Sequence, residues 1–379
     1  MFALSETERL VRRTARDFAT RVIAPRAAAI DATEAFPRDI IRGLAELGLM
    51  AVHVPSELGG AGATATAFAL AIQEIARACA STAVMTSVTN MVAETIARFG
   101  TEAQRQLHCP KLAGGQHILG SFALSEPDSG SDPGSMRTTA RRDGKGWVID
   151  GAKQWITGAT YAGVLLVWAR TASSDRGTRG ISCFLVENGT KGLNVGRPED
   201  KMGIRASNTV PIELDTCRVG PEALLGAEGD GFKIAMAALD GGRIGISAQA
   251  VGIARASLAE AIAYSKARQA FGVAIAEHQG IAWKLADMQM HVDAAELLSM
   301  RAARLKDRGD PYTREAAMAK LFASETAVRV SNDAVQIHGG YGYVRDLAAE
   351  RHLRDARVTT IYEGTSEIQR LVIARSVLS

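Results

Sequence analysis

Apolar residues recur at three- and four-residue steps from the start of the chain. Leu10, Val11, Ala15, Phe18 and Val22 follow Ser5 and Glu8, which stand at the spacing of a helix capping box. Pro25 kinks or ends that helix, and Pro37 suits the first turn of the next, which reaches Gly48. Two further helical runs cover Thr64 to Ala80 and Ser81 to Phe99, and Thr101 with Gln104 makes a second capping box. From His117 to about Leu225 the period changes. Ile118–Ser125, Met136–Arg142, Gly146–Asp150, Val164–Ala169, Ile181–Glu187 and Val210–Val219 are short runs rich in β-formers, parted by turn pairs including Asp143-Gly144 and Asp150-Gly151. No helices alternate with them, so a small antiparallel barrel or sandwich is expected rather than a Rossmann sheet. From Gly229 the helices return: Phe232–Arg268, Ile281–Lys306, Thr313–His338 and Thr365 to the end, lengths that predict a four-helix bundle. The chain therefore reads as α+β in three domains: an N-terminal helical domain over 1–115, a middle β domain over 116–226 and a helical bundle over 227–379.

One stretch imitates a nucleotide fingerprint. Gly60, Gly62 and Ala65 give GxGxxA, but Pro55 parts the glycines from any strand and no second strand with an acidic end follows. A flexible loop is expected there.

Composition narrows the function. The formal charge of +3 is spread without a basic block, which sets nucleic acid aside as a partner. Cys79, Cys109, Cys183 and Cys217 are far apart and read as buried hydrophobes of a reducing compartment, and the seven histidines show no metal-ligand spacing. No apolar run reaches the ~20 residues of a membrane span, and MFALSETERL is no secretory signal. A soluble, cytoplasmic protein without a metal is expected.

The chemistry concentrates in a few stretches, each with two readings. In TIYEGTSEIQR (Thr360–Arg370), Glu363 stands between Tyr362 and Gly364. It is either a first-turn acid serving the dipole of the last helix, or a general base whose pKa is raised by desolvation. FALSEPDSGSD (Phe122–Asp132) is a hairpin connection or a loop whose exposed N–H groups approach a polar ring or phosphate. Trp155, in what reads as a polar turn, covers either a barrel end or a ligand. Gly241-Gly242 inside the long helix, beside Asp240 and Arg243, serves tight helix packing or the close approach of a ligand. Arg268 suits a helix C-terminus or an anion, while Trp168 belongs to the core and His338 is a spacer.

The run QIHGGYGYVRDLAAERHLRDARVTTIYEGTSEIQRLVIAR closely resembles the C-terminal signature of the acyl-CoA dehydrogenases, and weaker ordered matches span the chain. The helix–strand–bundle layout agrees with that family. The likeness is strongest to short-chain, butyryl-type members, through FALSEP, KLADM and IYEGTSEIQRLVIA. It implies FAD-dependent α,β-dehydrogenation of an acyl-CoA, with Glu363 removing the α-proton and flavin N5 taking the β-hydride. Some members carry the base just before the Arg of the long helix, where this chain has Gly242. By the same resemblance, FAD lies against Phe122, Leu124, Ser125, Gly130, Ser131, Trp155, Ile156, Thr157, Thr365 and Glu367. Its pyrophosphate and adenosine half meet Arg268, Phe271, Gln279, Gln336, Ile337, Gly339 and Gly340, across a subunit boundary. Acyl-CoA meets Ser131, Asp240, Arg243, Tyr362 and Gly364. Asp128 departs from the family's customary glycine and puts the local turn in question. Met85, Ser87, Asn90 and Met91 are candidates for setting acyl length. Electron-transferring flavoprotein is the implied acceptor and a homotetramer, a dimer of dimers, the implied assembly. A same-fold flavin monooxygenase or oxidase, and a non-catalytic flavin-binding assembly protein, are the alternatives.

Overall fold

The first capping box forms and starts α1 (Glu6–Phe18): Ser5 Oγ accepts the Glu8 N–H, and Glu8 accepts the Ser5 N–H at 2.8 Å. In this computed structural model, which describes residues 3–172 and 174–378, Pro25 distorts the chain without stopping it. A π turn (Ala19–Ile23) and a 3₁₀ turn (Ala24–Arg26) carry the backbone round the missing donor into α2 (Ala27–Thr33). Pro37 caps α3 (Arg38–Glu46) rather than lying in its first turn. Next come α4 (Ala65–Ala78), α5 (Ala80–Phe99) and α6 (Glu102–Ala113), the last opened by the second capping box.

The Met50–Ala65 stretch contains no strand, so the dinucleotide reading is void. It is not the flexible loop expected either. Ala61, Gly62 and Ala63 donate their N–H groups to the carbonyls of Ala51, Val54 and Val52 at 2.9–3.1 Å, folding the segment tightly on itself.

The strands are β1 (Leu119–Ala123), β2 (Thr139–Asp143), β3 (Gly146–Thr157), β4 (Ala162–Arg170), β5 (Ile181–Glu187), β6 (Leu193–Val195), β7 (Thr209–Val219) and β8 (Leu224–Leu225). Their order is β6-β7-β3-β2-β4-β5-β8, with β1 alongside β4. The sheet is mixed, where an antiparallel one was expected. β1 and β4 run parallel because the β2–β3 hairpin between them is a long enough connection to bring the chain back in the same direction.

The long α7 (Gly231–Ala267) passes unbroken through Gly241-Gly242. A small hairpin of β9 (Gln269–Ala270) and β10 (Val273–Ala274) leads to α8 (Gln279–Asp307), α9 (Thr313–His338), α10 (Gly340–Tyr343), α11 (Ala349–Arg357) and α12 (Ser366–Leu378). The bundle differs from the expected one in its fourth member. α11, not the last helix, packs against both α7 and α9, and α12 packs on α9. The sequence hid α11 because its buried face is Ala349, His352, Asp355 and Ala356, with no apolar stripe.

Helices α4, α5, α7 and α9 share one apolar core, and the sheet has its own. A third cluster joins the outer face of the sheet to α5, α6 and the start of α7. There Trp168, fully buried as expected, donates its Nε1–H to the Gly231 carbonyl at 2.7 Å. The four cysteines are buried free thiols. Among the described residues, no helix is long and apolar enough to cross a membrane.

Candidate active site

Glu363 lies in the connection between α11 and α12, three residues before the helix begins, with φ of 53°. That left-handed conformation is costly for a residue with a Cβ and needs external support. Three side chains supply it. Lys320 Nζ donates to the Gly364 carbonyl at 2.7 Å, and Gln369 Nε2 donates to the carbonyls of Glu363 and Gly364 at 3.0 and 2.9 Å. Tyr362 donates its hydroxyl to Gln249, whose Nε2 donates to the Ala80 carbonyl at 2.9 Å.

The side chain turns into the protein against α7. A Cβ at Gly242 would stand 2.8 Å from Glu363 Oε2 and 2.9 Å from Met91 Sδ, so glycine there is what admits the carboxylate. Oε2 is enclosed and has no hydrogen-bond partner among the described residues. Burial pushes the carboxyl up to about 7, against the pull of the Arg243 and Lys320 cations. The reading of Glu363 as a dipole-serving surface acid therefore gives way. Thr365 takes the capping role instead, its Oγ1 accepting the Ile368 N–H at 3.3 Å.

Two cations bound this acid. Arg243 is buried and paired with Asp240, which also accepts the Thr313 hydroxyl, and the Arg243 Nε is enclosed without a partner among the described residues. Lys320 is fully buried and brought down to about 8, chiefly by desolvation. Lys320 was not found in the sequence, although the signal was there: Ala316, Ala319, Ala323 and Ala327 form the buried face of α9, and a lysine interrupts it. Because its charge opposes the rise in the Glu363 pKa, Lys320→Met is expected to move the pH profile of turnover to higher pH. It should also cut kcat about tenfold through the loosened turn. An unchanged profile would leave Lys320 with a packing role only.

The residues expected to form the flavin loop lie on β1, in the connection that follows it and at the end of β3. Phe122 packs on Trp168 with ring centroids 4.3 Å apart, and Ser121 Oγ donates to the Thr157 carbonyl at 2.7 Å. Leu124 is buried, Ser125 half-buried, and Gly130 and Ser131 exposed. The Gln154 N–H donates to the Ser125 carbonyl at 2.9 Å, tying the loop to β3. Trp155 is on β3, not in a turn. A bulge between Lys153 and Ile156 gives it φ of 65° and leaves it 61% exposed. Ile156 points into the sheet core and offers a ligand only its backbone. Asp128 causes no difficulty: its φ is not positive, and it pairs with Arg137 at 3.0 Å. Beneath the loop is an ion pair that was not anticipated, Lys153 with Glu126 at 2.8 Å.

The remaining cofactor candidates fall elsewhere. Arg268, Ile337, Gly339 and Gly340 line a cleft of about 650 Å3 with Tyr264 and Tyr341, and among the described residues none from the middle domain lines it. Phe271 is 96% exposed with φ of 54°, and Gln279 and Gln336 are exposed. Thr365 and Glu367 line a second hollow of about 280 Å3 with Arg357 and Thr360. His338 is buried, stacks on Tyr264 and lines the same cleft. Of the candidates for acyl length, Met91 and Ser87 face Gly242 and Gly245 on α7, while Asn90 holds the Leu49–Val52 backbone through bonds of 2.6 and 2.9 Å.

The N-terminal, middle and C-terminal domain models of acyl-CoA dehydrogenases match residues 5–116, 121–217 and 229–378. The mouse mitochondrial short-chain specific acyl-CoA dehydrogenase is 50% identical over 376 residues, 99% of this chain and 91% of that protein. The butyryl-CoA dehydrogenase of Megasphaera elsdenii superposes over 100% of both chains with a TM-score of 0.97 and 40% identity. A chain solved in work on the electron transferring flavoprotein of Acidaminococcus fermentans and flavin-based electron bifurcation gives 0.98 and 41%, covering 100% of this chain and 99% of that one. Three domain models and half-identity along nearly the whole length leave one conclusion: this chain belongs to the acyl-CoA dehydrogenases, FAD-dependent oxidoreductases.

Proposed function

We propose that the protein dehydrogenates a short-chain acyl-CoA thioester to its trans-2-enoyl product, with Glu363 as the base for the α-proton. One observation carries this reading: an enclosed carboxylate oxygen without a partner, poised near neutral pH, in the space that Gly242 leaves open. An acid with a pKa of about 7 is half ionised at neutral pH and matched to abstracting a carbon-bound proton. The unpartnered Nε of Arg243 beside it suits a polar part of the substrate.

The residues present fit FAD. Two aromatics, Trp155 and Phe271, are held exposed in a left-handed conformation that burial of their own surface does not explain. FAD, when bound, supplies the acceptor of the β-hydride. Trp155 would then shield it from water, and the Leu124–Ser125 backbone and Thr157 would hold its ring. The cleft at Arg268, Ile337, Gly339 and Gly340 is lined by no middle-domain residue among those described, which supports a cofactor shared between two chains and hence at least a dimer, within the homotetramer expected. Electron-transferring flavoprotein is the proposed electron acceptor, supported by the Acidaminococcus likeness. A short acyl chain is supported by Met91, whose Sδ stands with the Glu363 carboxylate against Gly242 and takes up space beside the base.

The test is anaerobic addition of butyryl-, isobutyryl- and octanoyl-CoA to the purified holoprotein while following the visible flavin band. Butyryl-CoA is expected to bleach it fastest. Bleaching by octanoyl-CoA alone would overturn the chain-length assignment, and a protein that takes up no FAD would overturn the reaction itself.

A further inference from the structure

Away from the flavin loop and Glu363, three metal-binding side chains from three separate segments converge. His108 lies in the last turns of α6, His117 in the link between α6 and β1, and Glu187 at the end of β5. His108 Nδ1 stands 3.5 Å from His117 Nε2 and 3.9 Å from Glu187 Oε1, and all three donor atoms lie within 4.8 Å of one another. Zinc bonds to imidazole nitrogen and carboxylate oxygen at about 2.0–2.2 Å, so donors on a tetrahedron round it stand about 3.4 Å apart. The first separation already has that value, and the others need only small side-chain rotations.

The frame behind these donors is fixed. The His117 N–H donates to the Lys111 carbonyl at 2.9 Å, which ties the link to α6. The His117 side chain packs against Gly163 of β4, where an added Cβ would stand 1.9 Å from its Nδ1, so the imidazole occupies a slot that only glycine leaves open. The Asn188 N–H donates to the Gly163 carbonyl at 3.2 Å, which fixes the backbone next to Glu187. His108 is buried and His117 half-buried, whereas the Glu187 side chain is 52% exposed, giving an enclosed side at His108 and an open side for entry and for a water as fourth ligand. One group opposes a cation here: Lys111 Nζ, 3.9 Å from Glu187 Oε1, on a side chain exposed enough to swing away. The nine-residue spacing of the two histidines, with the carboxylate seventy residues on, is why no site showed in the sequence.

We propose that His108, His117 and Glu187 form a zinc site that clamps the N-terminal helical domain to the middle β domain. Mixed imidazole and carboxylate donors in a tetrahedral frame suit this borderline cation. The clamp has no part in the chemistry at Glu363. Its effect is on stability, since a metal that binds only the folded chain raises the unfolding temperature with its concentration.

The experiment uses the FAD-loaded protein, stripped with chelator and titrated calorimetrically with zinc chloride, alongside His117→Gln and Glu187→Gln. One zinc per chain is expected to bind the wild type. His117→Gln should weaken binding at least a hundredfold and Glu187→Gln at least tenfold, while both keep their flavin spectrum and turnover. Zinc should raise the unfolding temperature of the wild type and leave that of His117→Gln unchanged. Cobalt(II) provides an independent readout, with a tetrahedral visible band in the wild type that His117→Gln lacks. Absence of saturable binding to the wild type, or equal binding by His117→Gln, would overturn the site.

Discussion

Glu363→Gln is expected to lower turnover by roughly 10³-fold, the scale of a positioned general base, while the protein still binds FAD. The substitution keeps size and polarity and leaves Lys320 and Gln369 holding the turn through backbone carbonyls, which the side-chain change does not touch. The same variant should gain stability, and the sign follows from the raised pKa. In the folded chain the carboxyl titrates at about 7, against an ordinary value of 4.5. The folded state therefore binds this proton more tightly than the unfolded one, and its contribution to stability is complete below about pH 4.5 and is lost as pH rises through 7. Glutamine does not ionise. Glu363→Gln should accordingly unfold at a higher temperature than the wild type at pH 8, with the difference vanishing near pH 4.5. In the wild type, kcat/KM should climb through about pH 7 and level off. A variant that sheds its flavin, or unfolds at a lower temperature at pH 8, would show that Glu363 supports the fold rather than the reaction.

What the sequence disclosed, and what it withheld, divides along physical lines. Local rules were legible: both capping boxes and the Thr313–His338 helix form where their patterns lie, and each β run seeds a strand, although β3 runs on through Asp150-Gly151, which reads as a turn. Features that depend on distant partners were not. The parallel seat of β1 beside β4 is set by connection length and packing, and α11 buries charged residues whose partners lie elsewhere: Asp355 Oδ1 accepts the Ile204 N–H. Strain was equally hidden. Trp155, Phe271 and Glu363 all have positive φ, which no residue type announces when it is not glycine, and all three fall among the residues singled out for FAD or catalysis. The resemblance pointed to Glu363; its surroundings, with Gly242 and Arg243 on α7 and Lys320 on α9, come from two other helices, and burial among them raises its pKa against the pull of the two cations. Lys153 was a further missed signal, a charged residue buried within β3.

That lysine carries the second large effect. Lys153 is fully buried, and its Nζ donates to Glu126 Oε1 at 2.8 Å and to the Leu124 carbonyl at 3.2 Å. Glu126 also accepts the N–H groups of Arg137 and Thr138 at 2.6 and 2.9 Å. Burial brings the lysine down to about 8 while Glu126 pulls it back up, and the lysine in turn helps to hold Glu126 below its ordinary value. Lys153→Met strips one partner and leaves a buried carboxylate, a change that costs about 3–5 kcal/mol in comparable settings. The loop proposed to hold the flavin loses its tether at Leu124 in the same step, so the variant should unfold at a markedly lower temperature and release FAD on gel filtration. Adding Glu126→Gln removes the stranded charge and should restore part of the stability, since the two effects are coupled. The decisive quantity is FAD retention in the double variant. If the pair's task is to place the Leu124–Ser125 backbone against the cofactor, stability returns without flavin affinity. Were both to return together, the ion pair would serve the sheet alone, and the loop would owe its shape to the Gln154–Ser125 and Glu126–Ser129 backbone bonds.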